Sequence, residues 1–158
     1  MNRRIPFFLI LFIFVSLIFA LVFLSGCINN GLNYEKVEVS FNSSSVSVLA
    51  EKADTDVKIQ QGLMWRESLG EKEGMFFDMG SRAYHFFWMA NTKIPLEGIF
   101  IDENFVITDI SEMAPCDKKP PDPCPTYNPR FPIRYFLEVN QNFSKKYGIK
   151  EGDFVIVN

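Results

Sequence analysis

The sequence predicts a mainly β domain: a β-sandwich or distorted barrel of about seven strands, decorated by two short helices. Three observations carry this. Short apolar runs of strand length recur from Val37 to Val157, turn residues separate them, and just two stretches carry helical spacing.

Taken in order, residues 37–41 and 46–50 alternate apolar with polar side chains around Asn42-Ser43-Ser44, the pattern of a hairpin. Residues 55–65 read as a helix, capped by Asp54 or Thr55, with Val57, Ile59, Leu63 and Met64 as its apolar stripe. Gly62 costs a helix about 1 kcal/mol relative to Ala, so it marks the helix end or a close approach. Strands are expected at 75–78, 84–89, 96–102, 105–114, 135–140 and 154–157, with Asp102-Glu103-Asn104 as one turn. A second helix over 142–147 stops at Gly148, a left-handed cap. From Pro115 to Pro132, seven prolines are expected to forbid regular structure and to make a stiff loop.

Ahead of this domain lies a segment of another kind. Residues 5–24 form 20 positions without a charge, enough for a helix to cross the hydrocarbon core of about 30 Å. Arg3 and Arg4 precede the run and no basic residue follows until Lys36, so the positive-inside rule sends the rest of the chain across the membrane. Leu24-Ser25-Gly26-Cys27 closes the run and resembles the lipobox of bacterial lipoproteins, which would place lipid on Cys27. An uncleaved signal anchor is the alternative, and it leaves the domain on the same side. The expected plan is a leader or anchor over 1–27, a tether over 28–36 and a single domain over 37–158, held at the cell membrane on the extracytoplasmic side.

Charge and cysteine usage fit that address. Residues from Cys27 onward hold 14 basic and 19 acidic groups, 14 − 19 = −5, which argues against nucleic acid as a partner. Cys116 and Cys124 are separated by seven residues, a spacing unlike common zinc sites, and the chain has one His. In an oxidising compartment the two close a loop as a disulfide worth about 2–3 kcal/mol; two reduced thiols are the other reading.

Further motifs occur in order: Gly62-Leu63-Met64 with Arg66, Gly74-Met75-Phe76-Phe77, Phe87-Trp88-Met89 with Asn91-Thr92, and Ile94-Pro95-Leu96 with Phe100-Ile101. Ala114-Pro115-Cys116, Cys124-Pro125 with Tyr127, Phe136-Leu137-Glu138-Val139, Gly148 and Gly152-Asp153 follow. This set resembles the family called domain of unknown function 192, over about residues 37–158. The resemblance implies a compact, mainly β fold, often exported, and no established activity. The family usually has Asp after Pro-Leu, whereas this chain has Glu97 and then Gly98. The longer side chain shifts the carboxylate by about 1.5 Å, which counts against a strict catalytic role there.

The residues that could carry chemistry each have a plainer reading. Trp88 with Asn91 and Thr92 could stack a sugar ring or hold a peptide edge; the plainer reading is a core Trp beside a hydrogen-bonded turn. Arg66 could clamp a carboxylate or phosphate, or form a structural ion pair with Glu97, Asp102 or Glu138. Those three are the carboxylates set amid apolar strand sequence in the matched motifs, and two of them at suitable separation could run acid–base hydrolysis. His85 with Met79 and Met89 brings a soft metal such as copper to mind, although methionines more often fill cores. A Gly-rich phosphate loop, a Gly-x-Ser-x-Gly elbow and a His-Glu-x-x-His motif are all absent from the sequence.

The expectation is therefore a membrane-tethered extracytoplasmic binding or envelope-accessory module, with an unknown envelope ligand and no cofactor or metal. Its ligand surface would comprise Arg66, Trp88, Asn91, Thr92 and Glu97, with the loop over 115–132 as a rim. The alternatives are a hydrolase of envelope material using Glu97 or Asp102 with Arg66, and a copper-binding protein.

Overall fold

Alternation builds the first hairpin of the computed structural model, which describes residues 32–116 and 123–158. β1 (Lys36–Phe41) and β2 (Ser44–Ala53) pair antiparallel with Val39 opposite Val48. The chain then crosses through α1 (Asp56–Gln61) to β3 (Glu73–Ala83), which runs parallel to β2 with Leu49 opposite Glu73. A parallel neighbour needs such a crossover, and this is where the predicted helix sits. β4 (Phe87–Trp88), β5 (Leu96–Ile101), β6 (Ile107–Met113), β7 (Thr126–Tyr127), β8 (Ile133–Asn140), α2 (Phe143–Tyr147) and β9 (Val155–Val157) complete the order.

Seven strands form one sheet in the order β6-β5-β8-β3-β2-β1-β9, and β4 pairs with β7 in a separate ribbon. The large sheet curls into a half-barrel whose edges touch at one corner. There Val106 bridges Phe154, Ile107 N–H donates to the Asp153 carbonyl at 2.9 Å, and Gly152 N–H donates back at 2.8 Å. The expected distorted barrel of about seven strands with two short helices is thus the fold.

Because side chains alternate across a strand, the curl has two apolar faces. Val39, Val48, Phe76, Ile99, Leu137 and Val139 fill the inside, and Phe143 of α2 closes it. Met75, Phe77, Leu96, Phe100 and Phe136 point outward, where Leu63, Phe87, Met89, Ile94 and Cys116 cover them. Gly98 serves this outer face, since a Cβ there would lie 2.5 Å from the Phe136 ring. Its absence leaves room for that ring.

Several predicted boundaries shift. The first helix stops at Gln61 because Gly62 takes φ +48°, and residues 62–65 turn instead of continuing the helix. The strand expected over 84–89 contracts to Phe87–Trp88. The proline-rich stretch, expected to hold no regular structure, contains β7, with Tyr127 opposite Phe87. Proline removes its own N–H and no other, so the residues between Pro125 and Pro129 keep the donors that a two-residue edge strand needs. Gly148 caps α2 at φ +72°, as expected. Cys116 and Cys124 form a disulfide, and a bridge from Cys116 to Ala90 ties it to the chain beyond β4. The apolar run over 5–24, Cys27 and the start of the tether lie outside the described residues. Among the described residues no helix is long and apolar enough to cross a membrane.

Candidate functional site

On the outer face of the sheet, between the end of α1 and β4, lies a cavity of about 150 Å³. Three segments build it. The turn after α1 supplies Gly62, Leu63 and Met64; β3 supplies Phe77 and Met79; residues 86–92 supply Phe86, Phe87, Trp88 and Thr92. The helix is set by Thr55, whose hydroxyl accepts from Lys58 N–H at 3.4 Å in the capping position. Gly62 then brings the chain against Phe77, to within 3.7 Å of where a Cβ would stand. Phe87 is fixed from beneath, stacked on Phe136 at 3.7 Å and edge-on to Phe77 at 6.1 Å.

Two loops meet beside the cavity. Trp65 N–H donates to the Asn91 carbonyl at 2.9 Å, and both residues are left-handed, at φ +67° and +60°. Asn tolerates that conformation, whereas for a bulky residue such as Trp it costs about 1–2 kcal/mol. Trp65 nevertheless stays largely in solvent, as do Phe86 and Trp88, which are 68% and 54% exposed. Backbone strain beside exposed aromatics is more typical of ligand sites than of packing.

Glu138 of β8 also lines the cavity. It shares the outer face with Phe136, two positions earlier on the strand. It is buried, and among the described residues no hydrogen bond or ion pair to its carboxyl is found, although the one side-chain polar atom there that is both shut off from solvent and without a partner is the Tyr34 hydroxyl. Burial alone pushes its pKa up to about 8. It is the one titratable group among the residues lining the cavity.

The predicted site residues divide. Trp88 and Thr92 line the cavity. Trp88 is a rim residue, not the core Trp of the plainer reading, because β4 is an outer ribbon with one face in solvent. Asn91 is exposed and contributes its carbonyl to the joint with Trp65. Arg66 does not pair with Glu97, Asp102 or Glu138; it grips Glu51 of β2 with both guanidinium nitrogens, at 2.9 and 2.5 Å. That bond raises the Arg66 pKa and ties the turn after α1 to the sheet. Glu97 points the other way, into the barrel, where its carboxylate accepts from Ser144 N–H at 2.8 Å and so caps the start of α2. Burial raises its pKa, and the Ser144 N–H draws it back.

Asp102 accepts from Asn104 and Val106 N–H at 2.8 and 2.9 Å and so shapes its turn. Five positions along one chain separate it from Glu97, about 16 Å in extended backbone and on opposite faces. The structure does not bring Glu97, Asp102 and Arg66 together. The described part of the segment over 115–132 lines no part of the cavity. His85 Nε2 lies 2.9 Å from the Ser81 carbonyl, while Met89 is fully buried in the outer-face core. Among the described residues no group of three or more His, Cys, Asp or Glu could hold a metal ion.

The model of the family domain of unknown function 192, described as Uncharacterized ACR, matches residues 37–157. No curated protein matches the chain. Two solved structures are similar. One, from Sinorhizobium meliloti and described as a candidate transcription regulator, is 28% identical with a TM-score of 0.73, covering 81% of this chain and 98% of its own. The other, a protein of unknown function from Novosphingobium aromaticivorans, is 32% identical with a TM-score of 0.69, covering 80% of this chain and 87% of its own.

Proposed function

The chain belongs to the family domain of unknown function 192, and from that premise we propose that it is a small-ligand binding module tethered by its N-terminus to the outer face of the cell membrane. One observation carries the binding reading: Glu138, a buried acid with no hydrogen-bond partner among the described residues, lines a cavity whose walls include Phe77, Phe86, Phe87 and Trp88. A buried polar group left unpaired costs stability, so a fold that keeps one beside a cavity has reason to expect a partner from solution.

The tethering half rests on the apolar run over 5–24, the arginines before it and the lipobox at Cys27. The Cys116–Cys124 disulfide is in keeping with it, because such bonds persist outside the reducing cytoplasm. The description attached to the Sinorhizobium relative is not carried over, since a net charge of −5 from Cys27 onward offers little to a phosphate backbone. Hydrolysis through Glu97, Asp102 and Arg66 draws no support either, each being engaged in holding the fold.

The test is a thermal-shift screen of small envelope metabolites against the full chain in maltoside micelles, run beside Trp88→Ala. Trp88 is exposed, so the variant should melt within about 0.5 kcal/mol of wild type. A compound at 100 times its Kd should stabilise wild type by about 2.7 kcal/mol and the variant far less. If every stabilising compound acted equally on both proteins, the cavity would not be the site.

A further inference from the structure

The class of ligand can be narrowed, on the footing that the cavity is a binding site. We propose that it takes an alkylammonium cation, with the charge set against Glu138 and the methyl or methylene groups against Phe77, Phe86, Phe87 and Trp88. The reasoning starts from charge. No cationic side chain lines the cavity, and the carboxyl of Glu138 has no hydrogen-bond partner among the described residues. Its strand neighbours, Met75 on β3 and Gly98 on β5, are not titratable, so neither offers it a competing charge.

Aromatic walls add a second attraction of the same sign. Ring faces are negative, and a desolvated cation over them gains about 2 kcal/mol, more for a quaternary ammonium than for a neutral group of the same shape. Size agrees: about 150 Å³ is the volume of a cavity that accommodates benzene, which leaves room for a trimethylammonium head and little more. Polar groups are present too, from Gln60, Gln61 and Thr92, but Glu138 is the one lining group that can carry a charge.

The proposal has a signature in pH. Empty, the buried carboxyl holds a proton at pH 7, since its pKa lies at about 8. An arriving ammonium ion binds the carboxylate, so binding must release that proton to solvent. Affinity should then rise about tenfold per pH unit up to about pH 8 and level off above.

The experiment titrates choline, and its neutral tert-butyl analogue, into the full chain in maltoside micelles, which carry no ammonium. Calorimetry in two buffers of different ionisation heat counts released protons, and tryptophan fluorescence reports on the rim. Choline affinity climbing tenfold from pH 6 to 7, with close to one proton released, at least tenfold selectivity over the analogue and loss in Glu138→Gln, is the expected result. Nanodiscs with and without phosphatidylcholine then decide between a free solute and a lipid headgroup, because a reachable headgroup would compete with choline.

Equal binding of both probes without pH dependence, still lost in Trp88→Ala, would overturn the ammonium class while leaving the cavity a binding site. So would a silent response to choline from a protein that still answers another compound through Trp88. No Trp88-dependent response to any compound would overturn both.

Discussion

On the inner face of the curled sheet, Glu97 of β5 gives its carboxylate to the Ser144 N–H and closes the barrel against α2. On the outer face, Glu138 of β8 sits beside a cavity with no described partner at all. Their strands are neighbours: Gly98, the next residue after Glu97, is paired with Glu138. Both acids are buried in nearly the same stretch of sheet, yet one is spent on the fold and the other is left open. What separates them is the layer each face meets. The inside is closed by a helix that presents a backbone donor, whereas the outside is closed by loops and a two-stranded ribbon that offer rings and a gap.

The contrast can be broken most severely at Phe136, which carries the outer wall by packing on Phe87, Phe100 and Phe77 at 3.7, 4.8 and 5.8 Å. Phe136→Ala should cost about 3–5 kcal/mol in urea unfolding of the domain, with loss of any cavity ligand. A cost under about 1 kcal/mol would mean that the outer layer is not anchored there.

Next in size is the pH dependence that Glu138 imposes. Its folded pKa is raised, from 4.5 to about 8, so between those values the folded chain binds more protons than the unfolded one. Stability from this group is therefore greatest below about pH 4.5 and falls as pH rises, by about 1.4 kcal/mol per unit within the window, levelling above about pH 8. Glu97 is also raised and contributes a decline of the same sign. The informative quantity is thus the difference between wild type and Glu138→Gln, which should shift steadily in favour of the variant from pH 5 to 7. Parallel curves would remove the distinction between the two acids.

A smaller effect sharpens the inner half of the comparison. Glu97→Ala leaves the Ser144 N–H buried without its acceptor and should cost about 1–3 kcal/mol, measured by denaturant at constant pH. Ligand response through Trp88 should survive, since Glu97 faces the other side of the sheet. Loss of that response in a folded variant would mean the two faces are coupled.

Much of the frame was legible in the residues themselves. Period-two alternation over 37–41 and 46–50 located the first hairpin, and Gly148 located the end of α2. Gly62 was rightly a punctuation mark, but whether it ended a helix or allowed a close approach could not be told from sequence; it does both, stopping α1 and touching Phe77. β7 stayed hidden because proline composition masked two residues whose pairing depends on a distant partner, β4.

The candidate site was half visible. Trp88 and Thr92 stood out by chemistry and do line the cavity, whereas Glu97 and Arg66 stood out equally and serve the fold. Glu138 stands out in the sequence as an acid amid apolar strand residues, but alternation says which residues share its face, not what that face meets. The pairing of β8 with β3 and β5, and the layer laid over them, are tertiary facts.

The most direct measurement is the titration of the Glu138 side-chain carboxyl by carbon-detected NMR, its signal assigned by its disappearance in Glu138→Gln. With the cavity empty, the midpoint should fall near 8. A midpoint near the ordinary 4.5 would show a carboxylate already paired or solvated, and the partnerless acid on which the binding reading stands would not exist.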